Sequence, residues 1–387
     1  MLIHSILLTR FLSYGPASDA VPLHALNLII GPNGSGKSNL LEAIDLIRSA
    51  PKDLLTPLRD GGGVQHWLWK GDNETPTATI DVVVSNPQGS GNLRYVLSFT
   101  EAGQRFELAD ERIENEHSDK GLLTPYFYYA FQGGRAALNV KGSKRFLQRE
   151  DIDLNQSILS QRRDPDQYPE VSYLGQALAK ISTYREWSLG RQSPVRRPQD
   201  TALPNQYLEP DGSNLALILN RFQREPAVKA RLLDALRKLY EGIDDYGVQI
   251  EGGTVQVFVQ EGDRTIPAVR LSDGTLRYLC LLAILCHPRP PPLVCIEEPE
   301  LGLHPDILPT VADLLKEASE RCQLIVTTHS DVLVDAMTDR PEDVLVAEKD
   351  ANGTVLRRLD ADSLKPWLAK YRLGELWTRG DIGGTRW

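Results

Sequence analysis

The chain has 387 residues, is 41% hydrophobic and 25% charged, and sets 43 Lys and Arg against 52 Asp and Glu for a net charge of −9. That balance excludes a wholly disordered chain, and the longest apolar run, Tyr278 to Cys286, falls well short of the ~20 residues a membrane helix needs. The acidity is local: residues 297–350 hold 14 acidic and 4 basic side chains, which leaves the rest of the chain at +1 and a basic surface elsewhere open.

The opening segment MLIHSILLTR lacks a basic leader and a cleavage site and reads as a strand, so a cytoplasmic protein is expected. A second apolar run, Leu26 to Ile30, flows into GPNGSGKS and an amphipathic stretch ending near Ser49, which is strand, glycine loop and helix. From Thr77 to Asn115 short β-rich runs separated by NPQGSGN and EAG predict an antiparallel meander. Residues 116–170 are polar and irregular around the aromatic run Tyr126 to Phe131, which is assigned to the core. Tyr173 to Trp187 reads as a helix, and the proline- and arginine-rich GRQSPVRRPQD after it as a lobe boundary. Residues 213–241 hold two helical patterns divided at Pro226, too interrupted for a long coiled coil. The hairpin VQIEGGTVQVFVQ, the turn LSDGT, an apolar helix from Leu276 to Cys286, the strand Leu293 to Ile296, a helix from about Pro305, the strand LIVTT, another helix and a strand pair around DANG complete the chain. Strand and helix alternating in this way imply a largely parallel sheet.

The segment from Gly31 to Ser38 fills every fixed position of a phosphate-binding loop, in the required context between strand and helix. Its glycines let successive amides face phosphate oxygens at the positive end of the helix, with Lys37 reaching the β and γ phosphates and the Ser38 hydroxyl ligating magnesium. LVCIEEPE has the form of a strand delivering two carboxylates at its carboxyl end. Glu297 is the metal-side group, directly or through water, and Glu298 orients the attacking water. The four cysteines, Cys280, Cys286, Cys295 and Cys322, lie in apolar sequence at gaps unlike a zinc site and read as buried thiols. Gly133 to Arg149 carries five basic residues and no acid, and Arg185 to Arg197 four arginines and one glutamate. Such stretches can meet nucleic-acid phosphates or be solvated loops, and Lys141, Lys144 and Arg145 are the candidates.

Together the phosphate loop, LSDGT, IEEPELGLHP and TTHS resemble the phosphate loop, signature, Walker B with D-loop, and switch-histidine motifs of ABC-type ATPases. Within that superfamily the chain resembles the RecF/SMC-like group and, more narrowly, bacterial stand-alone AAA ATPases related to the ATPase part of OLD nucleases. Asp273 and Thr275 replace the Gly and Gln of the transporter-type signature, and the closing YRLGELWTRGDIGG also looks like that family's ending. The resemblance covers roughly residues 1–50 and 265–387 and is weaker between.

What the resemblance implies is an α/β protein: an ABC-type P-loop NTPase head with a mixed or parallel sheet, an antiparallel β-subdomain, a helical insertion and no long coiled coil. Its expected parts are an N-terminal lobe over 1–150, an insertion or lid over 151–245 and a C-terminal lobe over 246–387. ATP would lie on Gly31, Pro32, Asn33, Gly34, Ser35, Gly36, Lys37, Ser38 and Asn39, with Mg²⁺ on Ser38 and Glu297. Ser272, Asp273 and Gly274 would close over the γ-phosphate of a second subunit, and Leu301 to His304 would form the D-loop, although His304 equally suits a helix start. His329 would sense the γ-phosphate, Glu298, Lys37 and His329 being the catalytic set. A glutamine loop should exist, with Gln156 and Gln161 as candidates. The expected function is an ATPase that forms an ATP-dependent homodimer and gates a separately encoded nucleic-acid-targeting effector such as a nuclease. The alternatives are a RecF-like DNA-repair clamp and a transporter motor. DNA is a candidate partner, and no membrane partner is expected.

Overall fold

A computed structural model describes the chain except residues 72–75, 88, 90, 119–120, 133, 141–142, 148–151 and 385–387, together with the side chains of 132 and 143–147. The described residues form two compact units: residues 1–181, 345–359 and 382–387 make the first, and 182–344 with 360–381 the second.

The chain starts the first unit with β1 (Ile3–Thr9), β2 (Val21–Pro22) and β3 (Leu26–Ile30), then α1 (Lys37–Ser49) and α2 (Leu55–Asp60). Six strands follow: β4 (Ala78–Val84), β5 (Leu93–Ala102), β6 (Arg105–Asn115), β7 (Phe127–Gln132), β8 (Arg135–Val140) and β9 (Ser143–Leu147). With β2 and β1 they make an eight-stranded antiparallel sheet in the order β2-β1-β4-β5-β6-β7-β8-β9. Alternation sets its buried face: Ile80 and Val82 on β4, Tyr95, Leu97 and Phe99 on β5, and Tyr129 and Phe131 on β7 are all buried. The expected meander is present, and it extends beyond residue 115 to Leu147. The strands after 115 escape a periodicity reading because they are short and β8, RAALNV, does not alternate. The aromatic run is half core, since Tyr129 and Phe131 are buried while Tyr126 is exposed. Helices α3 (Ile158–Gln161) and α4 (Pro169–Ala179) complete this stretch.

The second unit opens with β10 (Ser182–Tyr184), where the sequence reading continued a helix; the β-branched and aromatic Ile181 to Tyr184 favour a strand once α4 ends at Ala179. It continues with β11 (Gln199–Asp200), α5 (Leu215–Gln223), α6 (Pro226–Arg237), β12 (Asp245–Glu251), β13 (Thr254–Glu261), β14 (Arg264–Pro267), α7 (Asp273–Leu285), β15 (Leu293–Glu297), α8 (Leu308–Ser319), β16 (Gln323–Thr327) and α9 (Asp331–Asp335). Strands β10, β15 and β16 are adjacent and parallel, and β12 and β13 form the expected hairpin. Pro226 is the first residue of α6, where its missing N–H costs nothing. The GRQSPVRRPQD stretch lies within this unit, whose boundary is at residue 182.

The chain then returns to the first unit through β17 (Val344–Asp350) and its antiparallel partner β18 (Gly353–Arg358), with β17 beside β3. It closes with α10 (Ala361–Leu368) and α11 (Leu373–Thr378) in the second unit. Every residue of β3 and of β16 is buried, as for strands covered on both faces. Among the described residues no helix is long and apolar enough to cross a membrane, and α1 and α7, at 13 residues each, are the longest. All four cysteines are buried free thiols.

Candidate nucleotide-binding site

In the first unit, β3 runs into the loop 31–36 and then α1. Gly31 and Gly36 have φ of +148° and +96°, and neither could carry a side chain: a Cβ on Gly31 would strike the Ala347 carbonyl oxygen, and one on Gly36 the Thr354 and Ser13 hydroxyls. The loop is held from behind. Tyr14 donates to the Gly36 carbonyl at 3.1 Å, Thr354 Oγ1 donates to that of Ser35 at 2.9 Å, and Asn39 Nδ2 donates to Ser13 Oγ at 2.7 Å. Lys37 is buried, and its Nζ donates to the Gly31 and Pro32 carbonyls at 2.8 and 3.0 Å, which curls the loop around the ammonium. Asn33 and Gly34 are exposed at the tip, and Ser38 is half-buried in the first turn of α1, which carries no acidic residue. Ser35 Oγ is buried without a hydrogen-bond partner, a cost a bound phosphate oxygen would relieve.

The two glutamines also lie in this unit. Gln156 accepts from the Leu54 amide and donates to Asp53 Oδ1, and Gln161 joins the Asp153 backbone, so both brace the connections around α3. Lys141 lies outside the described residues. Lys144 and Arg145 are on β9, opposite Asn139 and Leu138 of β8.

In the second unit β15 ends on Glu297, whose Oε2 accepts from Arg185 Nε at 3.0 Å. Glu298 follows with φ +46°, a left-handed conformation that costs a non-glycine residue on the order of 1 kcal/mol. Neighbours hold it there: its amide donates to the Thr327 carbonyl at 3.0 Å, and its carbonyl accepts from Arg277 Nη2 at 2.8 Å. Arg277, on α7, lies 4.9 Å over the Trp187 ring, and burial pulls its pKa down. Glu300 Oε1 accepts from Thr328 Oγ1 and from the His329 amide, each at 2.7 Å, while Oε2 is buried without a partner. Burial drives the Glu300 pKa up despite those two bonds. Glu298 and His329, two members of the expected catalytic set, stand 3.5 Å apart.

Ser272 is the N-cap of α7, its Oγ accepting from the Thr275 amide at 3.0 Å. Gly274 sits so close to the Gly302 carbonyl that a Cβ would be 2.7 Å from it. Asp273 and Leu301 project at the surface, and His304 caps the short turn Pro305–Ile307 with its Nδ1. Arg196 is buried, donates to the Leu271 carbonyl at 2.6 Å and pairs with Asp273. Arg185 and Arg196 thus turn inward from the stretch read as a candidate nucleic-acid surface. The sequence reading missed Arg277, Trp187 and Glu300, and the only signal for Glu300 was its place in EEPE.

A family described as "AAA domain, putative AbiEii toxin, Type IV TA system" matches residues 26–335, most of the chain. The chain belongs to this AAA family. The AAA protein is 26% identical over 377 residues to the OLD nuclease of Thermus scotoductus, covering 92% of itself and 64% of that relative's length. Its fold is that of an SMC head. It matches an Smc head solved with the C-terminal winged-helix domain of ScpA at TM-score 0.59 and 15% identity, over 93% of this chain and 99% of that one. It likewise matches an extended Smc head bound to the C-terminal domain of ScpA from Pyrococcus furiosus at TM-score 0.58 and 16% identity, over 95% and 98%. The AAA protein thus joins that family's sequence pattern to an SMC-head-like fold.

Proposed function

We propose that this protein binds ATP with Mg²⁺, hydrolyses it, and uses the cycle to open and close a homodimer that gates a nucleic-acid-targeting effector. The observation that carries the reading is the glycine loop, where a buried Lys37, an unpartnered buried Ser35 hydroxyl and an acid-free helix start lie together and would suit a phosphate. Ser38 and Glu297 each offer hard oxygens, the kind of donor that magnesium takes. Bound there, the cation would neutralise charge on the β and γ phosphates. Lys37 grips those phosphates, Glu298 orients and accepts a proton from the attacking water, and His329 reports the γ-phosphate to Glu298. Ser272, Asp273 and Gly274 close the partner's site.

Gating of an effector is supported by the likeness to an OLD nuclease of which this chain spans about two-thirds. A self-sufficient DNA clamp is less favoured, because two arginines of the basic stretch at 185–197 are spent inside the second unit. The test is nucleotide binding and hydrolysis by the purified protein and its Glu298→Gln variant. Glu298→Gln should keep ATP, become dimeric by light scattering in its presence, and lose turnover on the order of 10²-fold. A variant hydrolysing at the wild-type rate removes Glu298 from the mechanism, and no ATP binding by either protein removes the proposal.

A further inference from the structure

The stretch from Arg185 to Arg196 touches both chemical ends of the second unit. At its start Arg185 donates to Glu297 Oε2 at 3.0 Å, a contact largely shielded from solvent. Two residues later Trp187 supports Arg277, which in turn holds the carbonyl of Glu298. At its far end Arg196 donates to the Leu271 and Ala268 carbonyls and pairs with Asp273, while its Nε donates to the Leu189 carbonyl at 2.8 Å and so ties the stretch back on itself. One short segment therefore reaches the Glu297 carboxylate directly, the backbone of Glu298 through Arg277, and the LSDGT turn through Arg196.

We infer that this segment is a strap, and that Arg185 is a resident counter-cation with which a divalent metal must compete at Glu297. The inference rests on the reading of Glu297 as the metal-side carboxylate. A carboxylate carries one negative charge, and a guanidinium already paired with one of its oxygens weakens its attraction for a second cation while fixing its rotamer. Parallel pairing of Tyr184 on β10 with Ile296 on β15 puts the residues that come next, Arg185 and Glu297, side by side.

The experiment is a Mn²⁺ titration followed by electron paramagnetic resonance, with a non-hydrolysable ATP analogue present, so that binding is read without turnover. Removing the competing charge in Arg185→Gln should tighten Mn²⁺ by about tenfold, a partly shielded ion pair being involved. Arg185→Lys, which keeps the charge and loses the planar contact, should tighten it by about threefold, and it decides the matter alone if the glutamine variant does not fold. In a Glu297→Gln background neither change should shift Mn²⁺ affinity. Unchanged or weaker Mn²⁺ binding in the single variants overturns the competition, as does tightening that persists without Glu297. Failure of the wild-type protein to bind Mn²⁺ with the analogue overturns the ATPase reading together with this one.

Discussion

His329 Nε2 stands 3.5 Å from Glu298 Oε1, and the two residues are anchored by different parts of the second unit. Thr327 and Arg277 fix the Glu298 backbone in its left-handed conformation, while Glu300 holds the His329 amide. A side-chain contact between two separately braced groups lets an event at one be felt at the other, which suits a sensor beside a general base. His329→Ala should then lower kcat by about 10- to 100-fold with little change in ATP affinity. Lys37→Ala should do the reverse and weaken ATP binding first. Equal loss of affinity in both variants, measured by calorimetry, would sink the division of roles.

Glu300 supplies a second prediction. Its Oε1 is the common acceptor for Thr328 Oγ1 and the His329 amide, so Glu300→Ala frees the start of the switch loop. A misplacement of that kind costs on the order of 10- to 100-fold in kcat without comparable loss of binding. Glu300→Gln keeps an acceptor oxygen and should retain most of the rate. A glutamine variant as impaired as the alanine one would show that charge, rather than positioning, is what Glu300 contributes.

The glycine loop between β3 and α1, the carboxylates at the end of β15 and the place of His329 just after β16 were legible because each is a local pattern whose geometry follows from its own few residues. The glycines of 31–36 dictate the curl, and the apolar strand before Glu297 dictates where the carboxylates emerge. The braces were not legible. Arg185 and Glu297 are 112 residues apart, and Ser35 and Thr354 are 319 apart, so no spacing rule relates them. Basic residues were read as solvent-facing by composition, yet the Arg196 side chain is only 7% exposed because three backbone carbonyls and Asp273 absorb its donors. Strands β7 to β9 hid for another reason: they are short, and neither FYYAFQ of β7 nor RAALNV of β8 alternates apolar with polar residues, although the dipeptide Gly133-Gly134 is a hairpin signal.

Gly36→Ala tests the support behind the phosphate loop. The substitution forces a side chain into φ +96° and against the Thr354 and Ser13 hydroxyls, the latter 2.6 Å from the new carbon. Strain and overpacking together should destabilise the first unit by about 2–4 kcal/mol and abolish ATP binding. Urea unfolding combined with calorimetry checks both, and an intact loop with normal affinity would contradict the geometry.

Glu111 gives the fold a pH dependence. Its carboxylate accepts from Tyr95 at 2.9 Å, from the Ile158 amide at 3.0 Å and from Ser157, joining β6 to the start of α3, and burial pushes its pKa up from 4.5 to about 7. A raised pKa means that the folded state binds the proton more tightly than the unfolded one. The stabilisation is complete below 4.5 and fades as pH rises to about 7, a loss on the order of 3 kcal/mol at most. Glu111→Gln lacks that titration, so wild-type stability should fall relative to the variant between about pH 4.5 and pH 7. Parallel stability curves across the window would show that Glu111 is not the titrating group.

The proposed dimer makes the last prediction, because the signature turn of one chain is expected to serve the phosphate loop of another. Ser272 caps α7, Asp273 is 69% exposed and Leu301 is 50% exposed, so this part of the second unit presents a surface and a helix start to a partner. Ser272→Arg should abolish hydrolysis by blocking that surface, and loss of the cap alone costs only about 1 kcal/mol, which a melting curve can verify. Lys37→Ala abolishes it from the phosphate side. Mixed, the two chains form heterodimers in which one composite site carries both lesions and the other carries neither. A signature acting in trans therefore restores activity that each variant lacks alone, up to the fraction of mixed dimers. A signature acting in cis leaves every site broken. Differently tagged chains establish that exchange has occurred, and single-turnover cleavage then separates two explanations of a silent mixture. An intact trans site would still cleave its one bound ATP even if repeated turnover required both sites, whereas no cleavage in confirmed heterodimers would rule out a shared site.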